Sequence, residues 1–319
     1  MIRIRRMGKI AMSGLVLAGL GASVRMHAGQ KAAANGPAVS VVVTVTGRGS
    51  NAPRVLDQAN VLVYQNHERR PIISWVRASD QSAPLDLAIL VDDSLGPAFN
   101  SLIPDLQRFV RGLPASARVA VVYSTNSNAN LVQPFTTSHD HAARAIRLPL
   151  GSASGTLSIY LAAADLFRHW PEDNGRRRAV LLVSDGIDLY RGVADSAPGN
   201  NSDLTAAIRA FLRRGVTAYT IYASGASSAS QNPTLVNNGQ SCLSLLTRET
   251  GGESFFEGLD TPVSFNPFLN RLGGLLSSQY VLSFKAVPRS RAGREPLNVT
   301  TELPDVKIMA PAAVWVPGQ

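Results

Sequence analysis

The sequence predicts an α/β protein: a mostly parallel sheet covered by helices on both faces, flanked by a small β module built from the N- and C-terminal segments. Strand and helix patterns alternate through residues 84–278, as in βαβ units with right-handed crossovers. Three of the strand patterns are nearly continuous apolar runs, typical of strands buried on both faces. Shorter alternating β patterns precede and follow this region, which indicates antiparallel pairing.

The amino-acid composition excludes several classes of function. Of 319 residues, 45% are hydrophobic and 17% charged, enough apolar material for a folded core. The single cysteine, Cys242, excludes an internal disulfide and a zinc site built on thiolates. The net charge of +9 falls to +4 without residues 1–28, and the one dense basic run beyond them, Arg176–Arg178, is expected to be a solvated strand entry. Nucleic-acid binding is therefore not expected.

The N-terminus has the pattern of an export signal. Residues 1–9 are basic, and Ile10–Val24 is an apolar run of small residues, shorter than the ~20 residues that span a bilayer. Cleavage after Ala28 would leave an exported protein in the periplasm, the cell envelope or the extracellular space. The alternative is an uncleaved anchor, which would be the only membrane contact.

The elements follow in order from local patterns. The N-terminal module, residues 37–83, is predicted to hold strands at Val39–Thr46, Ala59–Tyr64 and Pro71–Arg77. The central domain, residues 84–278, is predicted to hold strands at Leu85–Val91, Arg118–Tyr123, Arg178–Ser184, Val216–Tyr222 and Glu253–Phe256. Its predicted helices are Asn100–Leu113, Asp140–Arg147, Leu157–His169, Leu204–Arg214, Cys242–Thr250 and Asn266–Ser277. The C-terminal strands, predicted to pack with the N-terminal ones within residues 279–319, are Gln279–Ala286, Leu297–Thr301, Val306–Met309 and Ala313–Val316.

Two connections are longer than is usual in a compact domain. They are Gly186–Ser202 and Ser224–Gly239, and the second consists mostly of small and polar residues. Both are predicted to be irregular loops.

Hard oxygen donors gather where the predicted parallel strands end. Asp92 and Ser94 follow the first buried strand, Asp185 follows the third, and Thr156 stands at the start of a helix. In open α/β sheets, ligands bind at the carboxyl ends of the strands. Carboxylate and hydroxyl oxygens suit Mg²⁺ or a similar hard cation.

At these residues the chain resembles the von Willebrand factor type A family, whose metal-ion-dependent adhesion site reads Asp-x-Ser-x-Ser, then Thr, then Asp. Asp92, Ser94, Thr156 and Asp185 match four of those places. The stretch Leu246–Gly252 and the order of elements over residues 85–278 extend the resemblance. The flanking strands, such as Ser278–Leu282, are similar to those of a bacterial VWFA-related subgroup abundant in Acidobacteria.

The resemblance implies a Rossmann-like fold for the central domain and a binding role rather than an enzymatic one. It implies that Asp92, Ser94, Thr156 and Asp185 hold Mg²⁺ and that an acidic side chain of a protein partner completes the metal's coordination. No small-molecule substrate is implied. A metal-dependent hydrolase is not expected, because no histidine stands at a strand end as a general base.

One position departs from the family's motif. Gly96 stands where the second serine belongs, so the metal site would be weakened. The alternative function is therefore a structural or assembly component of the cell envelope with a vestigial site. With a weakened site, Asp92 and Asp185 could instead serve as helix caps and loop hydrogen-bond acceptors. Asp93 is expected to point away from the site, although it could bend into the gap at residue 96. Asp188 is expected to be solvated in its loop, the alternative being that it supports the metal ligands.

Overall fold

The computed structural model describes residues 36–47, 55–79, 81–150, 157–172 and 175–318. The predicted signal segment and Thr156 lie outside these residues. Within them, no helix is long and apolar enough to cross a membrane. The strands are β1 (Ala38–Gly47), β2 (Leu62–Gln65), β3 (Glu68–Arg69), β4 (Ile72–Arg77), β5 (Leu85–Asp92), β6 (Arg118–Thr125), β7 (Asn128–Thr136), β8 (Arg177–Ser184), β9 (Val216–Tyr222), β10 (Ser254–Phe255), β11 (Gln279–Lys285), β12 (Gly293–Thr300), β13 (Val306–Met309) and β14 (Ala313–Val316). The helices are α1 (Ile103–Arg111), α2 (His139–Ala145), α3 (Ile159–Asp165), α4 (Ser202–Arg214), α5 (Pro233–Thr250) and α6 (Asn266–Ser277).

The central sheet confirms the predicted α/β class. Its order is β10-β9-β8-β5-β6-β7, and every neighbouring pair is parallel except β6 with β7. When these six strands are numbered in chain order and read from the β7 edge, the order is 3-2-1-4-5-6, that of a doubly wound α/β sheet. The chain leaves β5 toward one edge and β8 toward the other, so these two neighbours flank the topological switch point.

Helices cover both faces of this sheet because its strands are apolar on both. Leu87, Ile89 and Val91 of β5 pack in one core with α1, α2 and α6. Ala88 and Leu90 pack in a second core with α3, α4 and α5. Such two-sided burial requires the continuous apolar runs that the sequence shows.

The N- and C-terminal strands together form two four-stranded sheets, β13-β1-β11-β4 and β14-β12-β2-β3. The register of the central pair sets Val43 opposite Tyr280 in antiparallel β1 and β11. Inward-facing residues of the two sheets share one apolar core, in which Val43 and Phe284 are fully buried.

Two elements of the central domain were mispredicted. Helix α5 begins at Pro233, so the predicted loop Ser224–Gly239 is wrong from that residue on. Asn232 caps the helix, its side-chain oxygen accepting the backbone N–H of Thr234 at 3.0 Å. The first two turns contain several polar residues, so the sequence pattern did not indicate a helix there. The edge strand β7 was not predicted because polar residues and Pro134 interrupt its pattern.

The expectation of a solvated Arg176–Arg178 is also wrong. Arg176 pairs with the buried carboxylate of Asp86, and Arg178 is buried and donates to the carbonyl of Arg214. Arg177 is buried and donates to Gln279 Oε1 at 2.6 Å. Since Gln279 begins β11, this contact joins the central sheet to the flanking strands.

Candidate functional site

Asp92, the last residue of β5, is a buried carboxylate held by hydroxyls. Its Oδ1 accepts the backbone N–H of Ser94 at 3.0 Å and the Ser94 hydroxyl at 2.7 Å. The Ser124 hydroxyl at the end of β6 reaches the same oxygen at 3.3 Å. Its Oδ2 accepts the Ser184 hydroxyl at 2.7 Å. Four donors from three strand ends thus fix this carboxylate at the switch point.

Asp185, the residue after β8, is the second buried carboxylate. Its Oδ1 accepts the backbone N–H of Ile187 at 2.9 Å, and its Oδ2 accepts the Ser230 hydroxyl at 2.7 Å. Burial, followed by repulsion from Asp92, raises the pKa of Asp185 from 3.8 to about 7, against the lowering effect of its hydrogen bonds. Ser184, which donates to Asp92 Oδ2, immediately precedes Asp185, so the two carboxylates lie at neighbouring strand ends.

No cationic side chain among the described residues forms an ion pair with Asp92 or Asp185. Asp93, by contrast, accepts Arg147 Nη1 at 2.9 Å and the backbone N–H of Leu150 at 2.8 Å. Asp93 therefore binds residues 147–150, and it is not part of the carboxylate pair. The two unpaired carboxylates and the hydroxyls beside them form a set of oxygen donors that fits a hard divalent cation.

Asp188 is not solvated, contrary to the sequence-based expectation. Its carboxylate accepts the Ser158 hydroxyl at 2.7 Å, the Asn201 amide at 3.3 Å and the backbone N–H of Tyr190 at 3.0 Å. Only 3% of the residue is exposed, and burial raises its pKa. It holds the start of α3 and the loop before α4 together, next to the site rather than in it.

The segment Ser224–Gln231, here called the strap, crosses the site between β9 and α5. Its backbone pairs with the turn after β5: Ala226 N–H donates to Ser94 O at 2.9 Å, and Gly96 N–H donates to Ser224 O at 3.0 Å. Farther along, its Ser230 hydroxyl bonds to Asp185. The strap therefore connects the two carboxylate-bearing strand ends.

The structure brings together three of the four predicted ligands, Asp92, Ser94 and Asp185, and Thr156 lies outside the described residues. Sequence reasoning missed three hydroxyls of the same cluster, those of Ser124, Ser184 and Ser230. The first two stand at strand ends, so the rule that identified the aspartates could have found them. Ser230 carries no such signal, because it lies in a segment without periodicity.

No family model matches the chain, and no curated protein is significantly similar to it. Similar solved structures include an aerotolerance-related membrane protein from Bacteroides fragilis, 13% identical over 60% of this chain and 98% of that one, with a TM-score of 0.42. Three N-terminal domains of the type V pili tip protein Mfa5 from Porphyromonas gingivalis are 9% identical over 89% of this chain and 66% of that one, with a TM-score of 0.44. The SpRpn10 VWA domain is 13% identical over 59% of this chain and 95% of that one, with a TM-score of 0.37. Identities and scores this low assign neither family nor function.

Proposed function

We propose that the protein is an exported protein-binding module of the adhesion type whose recognition centre is a divalent-cation site at Asp92 and Asp185. One observation carries the proposal: two buried carboxylates meet at the switch point of the sheet without a cationic side chain among the described residues. Mg²⁺ would neutralise both. The metal-binding residues are Asp92, Ser94 and Asp185, together with Thr156 on the strength of the family resemblance.

The surface around this centre supports a protein as the partner. Large apolar side chains stand exposed in the loops at the same edge of the sheet. Leu150 is 75% exposed, Val193 is 66% exposed and Val263 is 97% exposed. Large exposed apolar side chains are typical of protein–protein contact surfaces. An acidic side chain of the partner would complete the metal's coordination, as the family resemblance implies.

Metal binding is tested by calorimetry and thermal melting of the full chain with Mg²⁺ and Mn²⁺. An ion that binds only the folded state raises the melting temperature. We expect a clear rise that is lost in Asp185→Ala. If metal up to tens of millimolar produced no heat and no melting shift, that result would contradict a cation site that forms without the partner. A partner interaction that survives Asp92→Ala and Asp185→Ala would remove the metal from recognition altogether.

Gly96 favours a second candidate function, a structural or assembly component of the cell envelope with a vestigial metal site. That alternative predicts that Gly96→Ser restores metal affinity without creating partner binding. The main proposal predicts no gain, because a Cβ at residue 96 would stand 3.3 Å from Ser224 O and 3.4 Å from Gly225 O. The strap carbonyls would have to give by a few tenths of an ångström to admit the new side chain, so we expect a slightly lower melting temperature. Calorimetry on this variant separates the two candidates.

A further inference from the structure

The strap lies against residue 96, where the motif has its second serine. Its backbone pairs with both residues that flank Leu95, and Leu95 and Gly225 form a β-bridge. A Cβ on Gly96 would meet two strap carbonyl oxygens. The absence of a side chain at residue 96 therefore leaves room for the strap to pack against the turn after β5.

A hydroxyl from the strap reaches the carboxylate pair. Ser230 is 7% exposed, and its Oγ donates to Asp185 Oδ2 at 2.7 Å. Ser94 Oγ donates to Asp92 Oδ1 at the same distance. A serine hydroxyl that donates its one proton keeps lone pairs with which to bind a cation. Within the described part of the chain, no hydrogen-bond donor reaches the side-chain hydroxyl oxygen of either serine.

The strap can approach this closely because residue 225 is glycine. A Cβ at this position would lie 2.5 Å from Asp185 Oδ2 and 2.7 Å from Ser230 Oγ. Gly225 also donates its backbone N–H to the Asp185 carboxylate. The backbone is thus in direct contact with the carboxylate, and Ser230 stands on the same side.

We infer that Ser230 supplies to the cation site the hydroxyl that Gly96 lacks. The chain has moved one oxygen ligand from the turn after β5 to the strap after β9. Under this arrangement the site keeps its hydroxyl count, and the strap becomes part of the metal centre. This inference rests on the proposed cation site and adds a residue to it.

The test measures Mn²⁺ affinity of the full chain by calorimetry, with variants at two strap serines. We expect Ser230→Ala to weaken Mn²⁺ binding by about tenfold or more, because losing a ligand should cost at least as much as losing a hydrogen-bond partner of a ligand. Ser228→Ala is the matched control, since Ser228 lies in the same strap and is exposed; it should bind as the wild type does. Melting in EDTA establishes that each variant is folded.

A second variant, Ser230→Cys, keeps a buried donor of similar size and replaces oxygen by a softer atom. Thiol ligands favour Zn²⁺ over Mg²⁺, so the ratio of Zn²⁺ to Mg²⁺ affinity should rise in Ser230→Cys and not in Ser228→Cys. A residue with a purely structural role would not change this ratio. The variant also keeps the inference testable if Ser230→Ala fails to fold.

The outcomes separate this inference from the proposed function. Unchanged or tighter Mn²⁺ binding by Ser230→Ala, with binding abolished by Asp92→Asn, would overturn the role of Ser230 and leave the cation site in place. Absence of Mn²⁺ binding by the wild type would overturn both.

Discussion

Asp185 lies beside a second carboxylate in a buried site, and each of its oxygens already accepts a hydrogen bond. Hydrogen bonds favour the ionised form, whereas burial and the charge of Asp92 oppose it. The balance leaves the pKa at about 7. A bound divalent cation would reverse this balance by compensating both charges. Without one, the folded protein carries an electrostatic cost that depends on pH.

The first prediction concerns stability between pH 5 and pH 7.5 in EDTA. The folded state keeps the Asp185 proton up to about pH 7, whereas the unfolded chain releases it near its ordinary value. The folded state therefore binds more protons in this window, and the free energy of unfolding falls as pH rises. The raised pKa of Asp188 acts in the same direction. Urea denaturation at several pH values measures the slope.

Asp185→Asn should flatten this slope, leaving the contribution of Asp188. Saturating Mg²⁺ at pH 7.5 should recover stability in the wild type and not in the variant. Equal slopes in the two proteins would show that the buried carboxylate is not the source of the pH dependence.

Single residues differed in how well the sequence predicted them. Asp92, Ser94 and Asp185 were identified because strand ends can be located from apolar runs. The roles of Asp188 and Arg177 were not, because both are charged side chains whose partners lie far along the chain or in a loop of unpredictable path. Burial of a charge depends on those partners, and no local pattern reports them.

At the scale of elements, the strap is a short connection fixed by specific contacts. It pairs with the turn after β5, and its Ser224 N–H donates to the Thr261 hydroxyl oxygen at 2.9 Å. Its close approach to the carboxylates depends on Gly225, as the space around that residue shows.

The second prediction is that Gly225→Ala destabilises the protein and disrupts metal binding. The added methyl group would have to push the strap from Asp185, and such overpacking costs about 1–3 kcal/mol. Gly199→Ala is the control, because nothing lies within 4 Å of a Cβ at that position. Thermal melting and Mn²⁺ titration provide the readouts. Equal melting temperatures for the two variants would mean that the strap is not closely packed against Asp185.

Elements with strong periodicity were predicted well, and those with mixed composition were not. Helix α6 and strands β13 and β14 have the predicted bounds. Helix α5 was predicted nine residues too short, from Cys242 instead of Pro233, because Asn, Gly and Gln occupy its first turns. There the cap at Asn232 and tertiary packing outweigh weak helix propensity.

At the scale of the whole molecule, each flanking sheet is built from strands of both the N-terminal and the C-terminal segments. Strand β1 pairs only with β11 and β13, and β4 pairs only with β11, within the described residues. The side chains of Arg177, Gln279 and Tyr219 then link these strands to the central sheet, with Gln279 Nε2 donating to the Tyr219 hydroxyl at 3.0 Å.

The third prediction is that deleting residues 279–319 exposes the N-terminal strands. They would lose their partner strands and the apolar core that they share with them. Limited proteolysis should then cut first within residues 38–47 or 62–77, which the intact chain should protect. Protection of those residues in the shortened chain would show that the N-terminal strands fold without the C-terminal ones.

The central claim is that Asp92 and Asp185 bind a divalent cation at the switch point of the sheet. The most direct measurement is anomalous diffraction from crystals of the protein grown with Mn²⁺. The account predicts a peak beside both carboxylates and within ligand distance of the Ser94 and Ser230 hydroxyls. A map without a peak there, with Ser230 still bonded to Asp185 at saturating Mn²⁺, would contradict it.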